Sequence, residues 1–466
     1  MRAVDVERLR SVWRRVALLS WPVMVEQVTR TLMRTTDILV TALFSPLAVA
    51  AIGLADLYAR LPLRIGLGLG AGAIALSSQD TGSGATTNRD EAVSQALLVG
   101  VLAGVPFALF GVLFGEQAIA LLGFWADRDE IAEVADLGGT YLGIIFLTAP
   151  ARHVALVGAR ALQGTGDTYT PMYVNVASNG LNIVLSLVLG LGLLGVPRLE
   201  IVGVGIATAV GNVFTAVAFL TAIATDWTEA EFVYPRRLVI ARQLLVVSAP
   251  KVLEGLVATV IEFPFNALLL VFGAEVNAGY QIGRRVYQQL TSPLSRGLNV
   301  GASIVVGQSL GEGDPGKARF DGWATAALGL VTVGTLGVVL AVFADPLAGL
   351  FTDDPATLPV AAAFAFTYGV TAPFTMLYVS LAGALQGGSD TTTPFLARTL
   401  GLLVFYLGFS AVTSVFLDWG VFGVYLGIFL YYVSAFLVVA AGFRYGDWAA
   451  RATEMMAERG STTDDD

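Results

Sequence analysis

Apolar stretches recur along almost the whole chain, separated by short polar segments. Each stretch reaches about 20 residues or more, which is enough for one helix to cross the hydrocarbon core of a bilayer. Many of the polar connections carry Gly, Pro or Asp, as turns between helices do. The pattern predicts an all-α polytopic membrane protein with twelve spans, at residues 16–43, 48–78, 93–122, 132–158, 171–195, 199–225, 243–272, 276–309, 320–350, 358–386, 394–417 and 420–443.

Composition agrees with this picture and excludes several kinds of chemistry. Of the 466 residues, 55% are hydrophobic and 14% are charged, whereas a soluble protein carries about 25% charged residues. The absence of Cys excludes disulfides, thiolate metal ligands and thiol catalysis. Neither Lys251 nor Lys317 precedes Ser or Thr, so there is no phosphate-binding loop for ATP. No basic patch indicates a nucleic-acid partner, and no second acidic motif matches Asp353-Asp354, so an enzyme of the prenyl transferase kind is not expected.

Three motifs recur at nearly constant offsets, which indicates an internal repeat. They are Ala161–Pro171 with Ala384–Pro394, Gln79 and Gly82 with Gln308 and Gly311, and Pro22-x-x-x-Glu26 with Pro250-x-x-x-Glu254, at offsets of 223, 229 and 228 residues. An even number of spans per repeat makes the two copies parallel, related by an axis along the membrane normal. We expect two pseudo-symmetric six-helix lobes, at residues 1–225 and 243–448, with an inter-lobe linker at 226–242 and an acidic tail at 449–466.

Arginine is distributed unequally between the two sets of loops. The side that holds both termini carries most of the arginines, Arg160 among them, whereas the opposite side shows only Arg128 and Arg198. Short cytoplasmic loops carry an excess of basic residues. The sequence therefore predicts a multi-pass plasma-membrane protein whose N terminus, linker and C-terminal tail are cytoplasmic.

The first span carries a stripe of charges. Glu26, Arg30, Arg34 and Asp37 fall within roughly 80° of one another on a helix, and their charges sum to zero. A charge in hydrocarbon costs at least ~2.5 kcal/mol, so the stripe must face protein or a water-filled cavity. It is either a structural ion-pair ladder or the ion-coupling site of a transporter. Pro22 removes one backbone hydrogen bond and predicts a helix kink below the stripe.

A second charged pattern, Asp56, Arg60 and Arg64, lies on the second span. A structural pair network is the favoured interpretation, because the spacing places the three side chains along one helix face. These three residues could also compensate part of the charge on the first helix.

Four motifs together carry a family resemblance. They are Leu162-Gln-Gly-x-Gly-Asp, its copy at Leu385, Val306-Gly-Gln-x-Leu-Gly-x-Gly and Asn179-Gly-Leu-Asn. With them the chain resembles the multidrug and toxic compound extrusion (MATE) transporters over essentially its full length. It is most similar to the DinF-like branch, and an archaeal source is expected.

The resemblance implies a fold and a function. The fold is a V-shaped pair of six-helix lobes that alternate between facing in and facing out. The function is export of amphipathic, often cationic small molecules, driven by entry of H⁺ or Na⁺, by a monomer in the bilayer with no other cofactor or metal. The alternative is a flippase of related fold that moves a lipid-linked precursor. A flippase cavity tends to be strongly cationic, and the balanced charges of this chain argue modestly against it.

The resemblance also implies an ion-coupling site in the N-terminal lobe. Asp37, Asn182 and Thr208 match the aspartate, asparagine and threonine of archaeal and DinF-like members. Ser186 stands where those members have a second aspartate. With one carboxylate, and with Arg30 and Arg34 on the same helix face, cation binding is weakened. H⁺ coupling through Asp37 is therefore favoured over Na⁺.

Other branches of the family place a cation site in the C-terminal lobe. Glu262, with Asn266 one turn later, matches their glutamate on the seventh helix, but Thr375 is nearest to the aspartate expected on the tenth. Glu254 could line the same cavity as Glu262, or pair with Lys251 at its helix end. Each lobe thus keeps part of a site.

Overall fold

The computed structural model describes residues 3–122, 128–225 and 227–460, which are almost entirely helical. Long apolar segments form helices because a backbone in hydrocarbon must satisfy its own hydrogen bonds. The helices are α1 Ala3–Thr41, α2 Pro46–Gly82, α3 Thr86–Leu122, α4 Arg128–Leu147, α5 Ala149–Thr165, α6 Tyr169–Leu191, α7 Glu200–Ala224, α8 Leu238–Leu270, α9 Ala274–Gly311, α10 Pro315–Val342, α11 Ala344–Gly349, α12 Thr357–Gly387, α13 Thr392–Leu400, α14 Val421–Tyr445 and α15 Trp448–Glu458.

The predicted all-α architecture with twelve spans is confirmed. Within the described ranges, nine helical spans are long and apolar enough to cross a membrane, and the bent pair α4–α5 makes a tenth. The other two are α1 and α9, which have 39 and 38 residues and carry more polar side chains. Every predicted span therefore has a helical counterpart.

The fourth span is broken where the sequence pattern predicted one stretch. Its two halves, α4 and α5, meet at Thr148 with an angle of 48° between them. Pro150 lies in the first turn of α5 and cannot donate a backbone hydrogen bond to the preceding turn. The eleventh span is not broken, but its helix type changes along its length. Helix α13 is followed by π-helical turns at Gly401–Phe409 and Val412–Phe416.

Both ends of the described chain are more helical than predicted. Helix α1 begins at Ala3, well before the apolar run. The segment predicted to be an acidic tail forms α15, whose apolar residues Trp448, Ala452 and Met456 recur every four residues and are buried. Trp448 stacks on Phe443 with 4.9 Å between ring centroids. Residues 461–466, with the three terminal aspartates, lie outside the described part.

Contacts divide the chain into two units. Unit 1 holds the described residues in 3–24, 78–85 and 246–460, and unit 2 holds those in 25–77 and 86–245. The helices α1 and α2 therefore each contribute to both units. The lobe boundaries expected from the repeat stay a prediction.

Each unit has its own apolar core. In unit 1 the core includes a group of aromatic rings, in which Phe265 stacks on Tyr406 at 3.9 Å and the hydroxyls of Tyr280 and Tyr406 lie 2.6 Å apart. In unit 2 the core is mainly aliphatic, with Ile119 and Leu142 fully buried.

The repeated glutamine and glycine motifs meet inside unit 1. A Cβ on Gly82 would lie 2.1 Å from the carbonyl oxygen of Gln308, and a Cβ on Gly311 would lie 2.1 Å from that of Gln79. The two copies of the motif thus make equivalent contacts with each other. Only glycine allows the ends of α2 and α9 to approach this closely.

Candidate functional site

The four residues matched to the N-lobe site lie together in unit 2. The Ser186 hydroxyl donates a hydrogen bond to Oδ1 of Asp37 at 2.9 Å, and the side-chain amide of Asn182 donates to Oγ1 of Thr208 at 3.4 Å. Ser186 and Asn182 are one turn apart on α6, with Oγ and Oδ1 separated by 3.4 Å. Helices α1, α6 and α7 thus join one carboxylate to a group of neutral oxygen and nitrogen atoms.

Glu26, which lies closer than Asp37 to the start of α1, is held by a separate network of contacts. Its Oε1 lies 3.3 Å from Nη2 of Arg30, and its Oε2 accepts a hydrogen bond from Nε2 of Gln163 at 3.4 Å. The Gln163 side-chain oxygen in turn accepts a hydrogen bond from Nη1 of Arg160 at 2.8 Å. Glu26 is buried at 8% exposure, so these donors compensate a carboxylate that is removed from water. The predicted Glu26–Arg30 pairing is present.

Arg34 does not pair with Asp37, contrary to what the charge stripe suggested. In the described part of the chain, no carboxylate oxygen lies within 4.0 Å of its guanidinium nitrogens. Side chains on a helix lean towards its N terminus, which favours a contact of Arg30 with Glu26, four residues earlier, over a contact of Arg34 with Asp37, three residues later. Pro22 lies inside α1, which is one continuous helix.

In unit 1, Glu254 is fixed by two cations. Lys251 Nζ lies 2.9 Å from Oε2 of Glu254, and Nη1 of Arg398 on α13 lies 2.8 Å from Oε1. The carboxylate is 1% exposed, so removing either cation would leave a buried charge short of a partner. The pairing with Lys251 that the sequence offered is therefore present, and Arg398 adds to it.

Glu262 and Asn266 are both tied to α9. Nη1 of Arg284 lies 2.6 Å from Oε1 of Glu262 and 3.2 Å from the Tyr280 hydroxyl. The side-chain amide of Gln281 donates a hydrogen bond to Oδ1 of Asn266 at 2.8 Å. Glu262 thus has a cation as its partner, and it belongs to a different set of contacts from Glu254.

Arginines on α5 were missed as intramembrane residues. Arg160 had been counted with the loops, yet it lies inside α5 and joins the Glu26 network. Arg152, two turns earlier, interacts electrostatically with Arg30, Arg34 and Asp56. The signal that could have found both residues is the i, i+8 spacing, which places them near one face of the helix.

A second missed feature is a buried ion pair at the end of α2. Nε of Arg459 lies 2.7 Å from Oδ1 of Asp80, and both side chains have no exposed surface. Nη2 of Arg459 also donates a hydrogen bond to Oε1 of Gln79 at 2.8 Å. This pair fixes the end of the C-terminal helix within unit 1.

The atoms available in the N-lobe group limit which ion it can bind. No group of three His, Cys, Asp or Glu residues in the described ranges is arranged to hold a metal. In the N-lobe group, the side-chain oxygens of Asp37, Asn182, Ser186 and Thr208 include a single carboxylate. Hard cations prefer several oxygen ligands with charged ones among them. A proton needs one carboxylate alone.

A model of the MatE family matches the chain twice, at residues 22–188 and 250–412. The two matches start 228 residues apart, which is the offset found for the Pro-x-x-x-Glu motif.

Relatives named as multidrug resistance proteins are similar to the chain over most of its length. The chain is 30% identical over 443 residues to the probable multidrug resistance protein NorM of Rhodopseudomonas palustris, covering 91% of this chain and 88% of that protein. It is 27% identical to the NorM of Thermotoga maritima, over 69% of each chain. Both relatives are bacterial, so they do not support the expected archaeal source.

Solved structures show the same fold. A crystal structure of MATE in the bent conformation has a TM-score of 0.84 at 20% identity and covers 99% of this chain and 100% of that one. A MOP superfamily transporter from Pyrococcus furiosus, described as having a binding pocket of reverse polarity, has a TM-score of 0.83 at 20% identity and covers 98% of this chain and 99% of that one.

Proposed function

The chain belongs to the MatE family of membrane transporters, and we propose that it exports amphipathic drugs or metabolites as a secondary antiporter by alternating access. It is a multi-pass membrane transporter of small molecules and not an enzyme. The relatives named as multidrug resistance proteins support efflux as the direction of transport.

The observation that carries a coupling role is the environment of Asp37. Of Glu26, Asp37, Glu254 and Glu262, only Asp37 has no cation within 4.0 Å among the described residues, and its partner is the neutral hydroxyl of Ser186. A carboxylate with neutral partners can gain or lose a proton without breaking an ion pair, which would leave a buried charge uncompensated. We therefore propose ion coupling at Asp37, whereas the pairing of Glu262 with Arg284 makes Glu262 the weaker candidate.

H⁺ is the coupling ion that these residues favour. Ser186 occupies the position at which a second carboxylate would assist Na⁺, and Arg34 and Arg152 add positive charge nearby. Both features weaken the binding of a metal cation by simple electrostatics. No further cofactor is proposed.

The test is efflux from vesicles that contain the purified protein. We expect efflux under an imposed proton gradient without Na⁺, and none under a Na⁺ gradient after the proton gradient is collapsed. Asp37→Asn should abolish coupled efflux while the protein still inserts and elutes as a single species. Asp353→Asn, in an exposed loop, is the matched control and should transport normally. Efflux only under the Na⁺ gradient, or normal coupling in Asp37→Asn, would contradict the assignment.

We further propose a plasma-membrane location, cytoplasmic termini and a monomeric working unit. The arginine distribution supports the orientation. A flippase for a lipid-linked precursor is the second candidate function, and the feature that favours it is the excess of arginine over carboxylates on the parts of α1, α2 and α5 that belong to unit 2.

A further inference from the structure

Basic side chains outnumber acidic ones in the membrane-spanning helices that form the charged face of unit 2. The balance expected from α1 alone does not hold once α2 and α5 are included. In the parts of α1, α2 and α5 that belong to unit 2, the six arginines are Arg30, Arg34, Arg60, Arg64, Arg152 and Arg160, and the three carboxylates are Glu26, Asp37 and Asp56, which leaves three positive charges when all are ionised. Charges at this depth are costly and mark a pathway for a charged species.

Two of these arginines share one level along the helices. The Glu26–Gln163–Arg160 hydrogen bonds join α1 to α5 at a common height. The first span, α1, and the second half of the fourth span, α5, run in opposite directions. Arg34 follows Glu26 by eight residues on α1, and Arg152 precedes Arg160 by eight residues on α5. Eight residues of α-helix span about 12 Å along the helix axis. Because the two helices run in opposite directions, both steps lead the same way across the membrane. Arg34 and Arg152 therefore lie at similar heights.

Among the described residues, the guanidinium groups of Arg34 and Arg152 donate no hydrogen bond to another residue and have no carboxylate oxygen within 4.0 Å. They interact electrostatically with each other and with Asp56. Two like charges brought to one level without acceptors are stabilised when an anion lies between them.

We propose that Arg34 and Arg152 bind the acidic group of an amphipathic anion, so that the preferred substrate of this transporter is anionic. The guanidinium group is suited to this role because its planar donors match a carboxylate, sulfonate or phosphate. The claim that the transported substrate is anionic rests on the proposed transport function. The claim that Arg34 and Arg152 bind an anion does not depend on transport. Within unit 1, the charge of Glu254 is compensated by Lys251 and Arg398, which both bind that carboxylate.

Binding and transport are measured separately, so that failure of this inference can be told from failure of the transport function. Carboxyfluorescein and rhodamine 6G share a xanthene ring system and differ in charge. Their affinities for the full-length protein in detergent are compared, together with that of farnesyl phosphate as a lipid-borne anion. Arg34→Gln and Arg152→Gln should each weaken anion binding roughly ten- to hundredfold, and the matched lysine variants should lose less. Arg10→Gln, at an exposed position in the first turns of α1, is the control and should bind as the parent does.

The outcomes separate the sources of the anion. Tight binding of carboxyfluorescein supports a soluble substrate, and binding of farnesyl phosphate alone supports the anion class with a lipid as its source. Preference for rhodamine 6G, or anion affinity unchanged in both glutamine variants, would overturn the proposal. Anion binding without efflux of any compound would instead leave the anion site in place and refute the transport function.

Discussion

Loss of Arg459 should destabilise the protein far more than its position near the end of the chain suggests. Asp80 and Arg459 are both fully buried and are joined by a 2.7 Å contact. Arg459→Ala would leave the Asp80 carboxylate without the guanidinium and would also remove a 2.8 Å hydrogen bond to Gln79. Breaking a buried pair by removing one partner costs about 3–5 kcal/mol, so we expect a loss of this size in the free energy of unfolding.

The assay is equilibrium unfolding of the detergent-solubilised protein, followed by far-ultraviolet circular dichroism. Arg451→Ala is the matched control on the same helix, because Arg451 is 60% exposed and lies 3.7 Å from Asp390. Asp390 is buried, but it also accepts two hydrogen bonds from Thr393, and the contact of the exposed Arg451 with it is long, so this variant should unfold almost as the parent does. The double variant Arg459→Met with Asp80→Leu should recover most of the stability, since apolar replacement removes both charges.

Two results would refute this reasoning. One is an Arg459→Ala variant that is no less stable than Arg451→Ala. The other is a double variant that is as unstable as the single one, because the loss would then come from packing and not from the stranded charge. Amide hydrogen exchange along α15 would show whether any loss is confined to that helix.

The remaining predictions concern the helix crossing in unit 1 and the topology. Gly82→Ala should sharply reduce folded yield, because its Cβ would lie 2.1 Å from the Gln308 carbonyl oxygen, whereas Gly53→Ala, with nothing within 4 Å, should be tolerated. Equal yields of the two variants in gel filtration would contradict the close approach. For the topology, Glu231→Cys should be labelled only after the cells are permeabilised and Asp353→Cys in intact cells, because the arginine-rich side is expected to be cytoplasmic; the reverse result would invert the orientation.

Most of the fold could be predicted because membrane spans are encoded by composition over about 20 residues. The break between α4 and α5 could not be placed by hydropathy, although Pro150 gives its local cause. Helix α15 was missed because the acidic residues at the end of the chain suggested a tail. The four-residue spacing of the apolar residues Trp448, Ala452 and Met456 is the pattern that indicates a helix there.

The N-lobe group was predicted by a different route. Asn182 and Ser186 share one face of α6 by their spacing, but their approach to Asp37 on α1 needed the family pattern. Local pairs such as Lys251 with Glu254 could be read from three-residue spacing. The contact of Arg398 with Glu254 spans 144 residues of sequence, and no local pattern indicates it.

The charge balance of the substrate pathway illustrates the same limit with a functional consequence. On α1 alone the four charges cancel, and this cancellation disfavoured an anionic cargo. Arg160 was assigned to the loops because the predicted fourth span ends at residue 158, whereas α5 continues to Thr165. Arg160 was therefore not counted among the charges inside the membrane. Its hydrogen bond to Gln163, which also binds Glu26, places it among them. Because interactions between charges strengthen as water is excluded, the surplus on α1, α2 and α5 favours an anion at the level of Arg34 and Arg152. The charge preference of a transporter of this kind is therefore set by helices that are distant in sequence, and it has to be summed over all of them.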